Sequence, residues 1–275
     1  HIIYTNPNGC FMNKNHKNTI IYLAAMVVTL LLGACSDDMF EEGGQQHGDD
    51  RIQLSGDIDQ LAVTRVHDNG CCNGDVMGVY IVDYDGGTPG TLKASGNRGD
   101  NVRHTFDEPN YRWNSAYDLY WKDKHTHIDV YGYYPFADPE SVDDYQFEVK
   151  RDQSKPSENG EMGGYEASDF LWGKVADVAP TTSVIRLPMK HRMANARVTL
   201  VEGSGFAAGE WAGTEKTVLA PNLIRKASIN LADGTVTANG SVEATAIMPS
   251  RSGNEWRAIV VPQTVSAGTT LFSIT

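Results

Sequence analysis

Cysteine is scarce in this chain of 275 residues: there are four, and two of them precede residue 36. Only Cys71 and Cys72 remain beyond that point, and adjacent cysteines can close nothing but a strained eight-membered ring, so no disulfide framework is expected. The pair also lacks the two-residue spacing that lets neighbouring thiolates share a zinc ion. It reads as free thiols in a loop or as incidental residues. Positive charge is short as well, with 23 Lys and Arg against 35 Asp and Glu and a formal net charge of -12. No basic cluster with interleaved aromatics offsets this, which excludes nucleic acid as a partner. Beyond Cys35 no segment sustains a long 3.6-residue apolar period, so a helical architecture is excluded too.

Catalytic patterns are missing. Gly203-Ser204-Gly205 lacks the outer glycines of a nucleophile elbow, and no glycine-rich loop runs into Lys-Ser or Lys-Thr. The acidic pairs Glu41-Glu42, Asp107-Glu108 and Asp143-Asp144 are neighbours in sequence, which on a strand puts their side chains on opposite faces and makes no acid/base couple. His125 and His127 would share a strand face and could hold zinc, but no third ligand stands at a diagnostic spacing. Asp83-x-Asp85-Gly86 opens like a calcium loop without the later acidic positions, and a hairpin end explains it. The expectation is a chain with no enzymatic activity, no cofactor and no metal.

What is present first is a signal. Lys14 and Lys17 give a positive start, Ile20 to Leu32 form an almost unbroken apolar segment, and Gly33-Ala34 lead into Cys35. That order is a lipoprotein signal, in which the cysteine is acylated and becomes the new first residue. The apolar segment is shorter than the ~20 residues of a spanning helix, and Ser36-Asp37-Asp38 stands where a basic flank would follow. Residues 1–11 precede Met12 and are taken as upstream sequence, and 12–34 as the signal peptide. Its removal takes away two lysines and no acid, leaving a charge of about -14. Residues 35–50 are acidic, glycine-containing and poor in apolar residues, and read as a tether.

From Arg51 onward short apolar runs alternate with Gly, Asp, Asn and Pro, the punctuation of an all-β protein. Strands are expected at Val76–Tyr84, Val102–Phe106, Asp118–Trp121, Ile128–Tyr134, Tyr145–Lys150 and Asp169–Lys174. More follow at Val184–Leu187, Arg197–Val201, Ala227–Leu231, Thr235–Ala238 and Trp256–Val261. Asp233-Gly234 predicts a two-residue type I′ hairpin. Asp152–Gly164, polar and glycine-rich, predicts a long mobile loop. The chain stops inside an apparent strand, so a missing carboxyl-terminal end is expected. Tyr111, Trp113, Tyr117, Tyr120, Trp121, Tyr131, Tyr133 and Tyr134 crowd one stretch; exposed they could stack on sugars, but alternating aromatics favour core.

Four motifs in order carry a resemblance: GDVMGVYIVDY (Gly74–Tyr84), YWKD with IDVYGYYPF (Tyr120–Phe136), SDFLWGK (Ser168–Lys174) and HRMANARVTL (His191–Leu200). Behind a lipoprotein signal, the chain resembles the fimbrillin-like lipoproteins of Bacteroides-type bacteria, which include type V pilus subunits. The resemblance implies two tandem transthyretin-like β-sandwich domains, here 51–183 and an incomplete 184–275. It implies export to the outer-membrane surface, with Ser36, Asp37 and Asp38 in the export signal. For pilins it also implies removal of an amino-terminal strand before polymerisation with other pilin subunits. Arg65 is then the favoured cleavage site, because cutting there releases Ile52–Thr64 whole, whereas cutting at Arg51 only trims the tether. The alternative is a surface lipoprotein that does not polymerise, either a pilus anchor or a module binding host or bacterial surface glycans or proteins.

If Cys35 carries the lipid, Cys35→Ala abolishes incorporation of a fatty-acid analogue into the protein in labelled cells. Persistence of the label would refute the assignment.

Overall fold

The computed structural model describes residues 50–58, 71–158, 161–249 and 253–275. The signal peptide, Cys35, Ser36 to Asp38 and Arg65 lie outside the described residues, as does most of the expected tether.

The described chain is all-β. Its first strands are β1 (Leu54–Ile58), β2 (Val76–Asp83), β3 (Gly99–Asp107), β4 (Arg112–Ser115) and β5 (Ile128–Tyr134). Then come β6 (Tyr145–Glu148), β7 (Leu171–Val178), β8 (Ile185–His191), β9 (Ala194–Thr199), β10 (Val218–Ile224) and β11 (Lys226–Asn230). The last are β12 (Thr235–Ala238), β13 (Val242–Ala246), β14 (Met248–Pro249), β15 (Glu255–Val260) and β16 (Ser273–Ile274).

Seven strands form one sheet in the order β1-β8-β7-β5-β2-β3-β4. Its pairings are antiparallel except for β1 on β8, which is parallel. The three smaller sheets run β12-β11-β6, β13-β10-β16 and β14-β15-β9. Three of these pairings, β1 with β8, β7 with β8 and β6 with β11, cross residue 183, near which a domain boundary is expected. β8 joins the large sheet, and β6 pairs with β11, Phe147 opposite Ala227.

The centre of the large sheet is covered on both faces, which is why β2 and β5 are apolar at consecutive positions rather than at alternate ones. All seven residues of β5 are buried. Met77, Val79, Ile81, Val130 and Tyr134 face one core together with Ile52, Leu54, Trp113, Leu187 and Met189. Tyr80, Tyr131 and Tyr133 face the other, against Phe147, Phe170, Trp172 and the β11 residues Ala227 and Ile229. A third core gathers Val218, Ala220, Leu223, Trp256 and Ala258 between the remaining sheets.

Two glutamines join these layers by imitating a peptide group. Gln153 is completely buried; its Nε2 donates to the Ile259 carbonyl and its Oε1 accepts from the Ile259 N–H, both at 2.8 Å. Gln263 does the same to Ile224, both bonds being 2.9 Å. A side-chain amide offers one donor and one acceptor, which match the two groups of an extended residue. Arg225 adds an ionic tie, bonding the Val149 carbonyl at 2.8 Å and pairing with Glu148 and Glu243.

Several expectations are corrected. Asp118–Trp121 is not a strand but one side of a single bridge, Arg51 with Tyr120. The Asp233-Gly234 turn is a four-residue loop: Asn230 pairs with Thr235, and of the loop residues only Gly234 is left-handed, at φ 73°. A type I′ turn needs two such residues. Within the stretch Asp152–Gly164, Gln153 is anchored to Ile259. Strand β10 carries no clean alternating signature in the sequence because Pro221 interrupts it, at a register shift between Ala220 and Leu223. Cys71 is a thiol, so the neighbouring pair does not close a strained ring.

Replacing Gln153 with alanine leaves a buried N–H and a buried carbonyl unpaired. Chemical denaturation of Gln153→Ala is expected to show a loss of about 2–6 kcal/mol, at 1–3 for each orphaned group, against under about 1 for Gln146→Ala on the surface. Equal losses would show that the amide pairing contributes nothing.

Candidate functional site

The site worth building is the edge at β1. The sequence Ile52-Gln-Leu-Ser-Gly-Asp-Ile58 alternates, so Ile52, Leu54 and Gly56 fall on one face. Ile52 and Leu54 are buried in the first core, 6% and 5% exposed. The strand lies on β8 in parallel register, Leu54 opposite Ile185 and Gly56 opposite Leu187. Just before it, the Ile52 N–H donates to the Leu119 carbonyl at 2.7 Å and the Trp121 N–H to the Asp50 carbonyl at 3.0 Å. The Ile185 N–H donates to the Gln53 carbonyl at 2.8 Å.

β1 and β4 are the two ends of the seven-stranded sheet, yet they meet: a Cβ on Gly56 would stand 3.1 Å from Trp113 Nε1 of β4. The sheet has rolled until its ends touch, and β1 closes the roll over Met77, Trp113, Leu187 and Met189. Taking β1 away would open a groove floored by these apolar side chains and edged by the unpaired backbone of β8.

Beneath this edge sits Cys71, packed against the first core. Burial, and to a smaller extent the negative charge of Asp75, push its thiol up to about 12. A thiol so placed is a poor nucleophile at neutral pH.

The other sequence candidates are structural. His127 pairs with Asp177 at 2.7 Å, and His125 is exposed; no group of three His, Cys, Asp or Glu among the described residues could hold a metal. Asp177 is left-handed at φ 56° where β5 and β7 slip register, and its N–H donates to Asp129 at 2.9 Å. Burial alone would raise the Asp129 carboxyl; bonds from Lys174 at 2.9 Å, the Asp177 N–H and tyrosine hydroxyls outweigh it and hold it below the ordinary range. Asp83 is taken up by Arg98 in two bonds of 2.7 and 2.6 Å, and Asp85 bridges Thr88 across Gly86, so that segment is a hairpin end. The aromatic stretch divides. Trp113, Tyr131, Tyr133 and Tyr134 are core, whereas Tyr111, Tyr117 and Tyr120 are exposed, Tyr111 by 82% at a left-handed φ of 51°.

The sequence profile of the family described as fimbrillin-like matches residues 64–275. The chain belongs to the fimbrillin-like family. A candidate fimbrium subunit of Bacteroides uniformis, Fim1C, is 24% identical over 253 residues, covering 90% of this chain and 77% of that one. Among solved structures, a candidate cell adhesion protein from Bacteroides uniformis superposes with a TM-score of 0.56 at 19% identity, over 83% of this chain and 80% of that chain. Another, from Bacteroides ovatus, gives 0.53 at 16% identity over 78% of each. These likenesses support the fold of a fimbrillin-like chain. Of the candidate cleavage residues in this one, Arg51 is exposed, with its guanidinium 3.7 Å from Asp118.

The environment of Cys71 gives a direct check. At pH 8 the folded chain should leave Cys71 unmodified by iodoacetamide for hours and react fully once unfolded. Rapid modification of Cys71 in the folded chain would show that the core around it is open.

Proposed function

We propose that this chain is a structural and adhesive subunit of type V-like fimbriae, exported as an outer-membrane surface lipoprotein and assembled by strand exchange after proteolysis. One observation carries this reading. β1 is an edge strand that closes a rolled sheet, and its loss would leave an apolar groove and unpaired strand groups that a strand from another subunit can fill.

The cut is assigned to Arg65. β1 spans Leu54–Ile58, so cleavage beyond it detaches the whole strand. Cleavage at Arg51 would leave β1 on the body of the subunit. In this reading Cys35 holds the precursor to the membrane, with Ser36, Asp37 and Asp38 directing it outward. One acyl chain anchors only marginally, so multiple acylation is required. The partners are other pilin subunits in a homo- or hetero-polymer, the membrane through the lipid, and surface glycans or proteins as adhesion targets. The reading assigns the chain no catalysis.

A second reading, a lipoprotein that does not polymerise and instead anchors a pilus or binds glycans, draws on Tyr111, Tyr117 and Tyr120. A tyrosine held at positive φ and exposed is an unusual thing to keep on a surface.

Protein taken from the native cell surface decides between them. Polymerisation predicts a new amino terminus at or near Val66 and ladders that survive mild denaturant. Intact acylated monomer as the only surface species would sink it and favour the second reading.

A further inference from the structure

Gly56 leaves a flaw in the closed roll. On β4, Trp113 is 9% exposed, and its buried Nε1 has no hydrogen-bond partner. A buried N–H without an acceptor is unfavourable, because it has left water's hydrogen bonds without gaining one in the fold. Nε1 is the atom nearest the position of the side chain that Gly56 lacks: its Cβ would lie 3.1 Å from Trp113 Nε1 and 3.5 Å from Met77 Sδ. A narrow cavity remains there, lined by Gly56, Cys71, Met77, Trp113, Tyr134 and Met189. Gly56 is not in the left-handed region, so no conformational demand for glycine explains its presence.

We infer that the Trp113 indole N–H is a reading head for the strand that replaces β1, and that the incoming strand carries serine or threonine where β1 carries Gly56. This rests on the strand-exchange reading above. The chemistry follows from the geometry. A hydroxyl oxygen one bond beyond the Cβ comes within hydrogen-bond reach of Nε1 once the indole yields by a few tenths of an ångström. The same side chain fills the cavity, and its O–H can turn toward the Met77 sulfur, a weak acceptor. Alanine adds the Cβ contact without the acceptor. A longer side chain meets Trp113 and Met77 before it can extend. The groove therefore selects both register and residue: apolar side chains at the Ile52 and Leu54 positions, then a small hydroxyl two residues on. The chain's own strand satisfies the first two and omits the third, which makes it the weaker occupant.

The test has two parts. In the full chain, Gly56→Ser and Gly56→Ala are compared by denaturation, each with Trp113 intact and with Trp113→Phe. The serine variant should exceed the alanine variant by roughly tenfold in the folding equilibrium constant, since pairing a buried donor has that magnitude, and the advantage should vanish with Trp113→Phe. In the second part, the chain is cut between β1 and β2 and offered labelled heptapeptides with the Ile52–Ile58 sequence, bearing glycine, alanine or serine at the Gly56 position. The serine peptide should be captured roughly tenfold more tightly than the alanine peptide. With it alone the Trp113 indole proton resonance should move downfield, a readout that does not depend on a Trp113 variant folding. Capture of all three peptides with equal affinity and no indole shift overturns the inference and leaves strand exchange standing. Capture of none overturns strand exchange, and the inference with it.

Discussion

The parallel pairing of β1 with β8 is the contact on which the large sheet depends. A twisted seven-stranded sheet has two edges and an apolar concave face, and both are liabilities in water. Here one strand answers both. β1 covers the backbone edge of β8, and it and the residue pair before it send Leu54 and Ile52 into the first core, where the sheet's other end arrives through Trp113. Because the same strand completes a ladder and a core, the two cannot be undone separately. Replacement by another strand of like pattern is the one change that preserves both.

The remaining cores are built without it. The aromatic face of β2 and β5 packs on β11 and on Phe147, Phe170 and Trp172, and the third core lies between β10 and β15. The glutamine pairings reinforce this separation. Gln153 ties the segment after β6 to β15, and Gln263 ties the segment after β15 to β10, so neither touches β1. A subunit with this layout can have its first core opened while two others hold their shape. That is the physical condition for an exchange reaction to proceed from a folded acceptor rather than from an unfolded one.

Much of this was legible in the sequence, for reasons that differ by element. β5 was readable to the residue because its Ile, Val and Tyr residues fall on both alternating faces, interrupted only by Asp129 and Gly132, and Pro135 marks its end. β12 was equally plain. β10 was not, since Pro221 and its bulge break the alternation on which strand reading depends. The β1 segment could be seen as a removable strand, but its partner could not, because parallel pairing across so long a separation leaves no local mark. The glutamines and the Trp113 donor were invisible for a different reason. A polar side chain that replaces a peptide group has the same letter in the sequence as one that faces water, and only burial distinguishes Gln153 from Gln146.

If the subunit assembles by strand exchange as proposed, the energetics explain why a cut would be needed. Each buried aliphatic side chain of β1 is worth about 1.5–3 kcal/mol, and each ladder hydrogen bond roughly 0.5–1.5. Losing the strand would thus remove a large share of the 5–15 kcal/mol that holds an ordinary domain together. An attached strand that slipped out would also return at once, because a short tether keeps its effective concentration near millimolar. Cleavage after β1 would remove that advantage and put the resident strand on equal terms with any other of matching pattern. From then on the outcome would be set by fit alone, and the fit of β1 is imperfect at one residue, Gly56, over a tryptophan whose N–H is left unpaired.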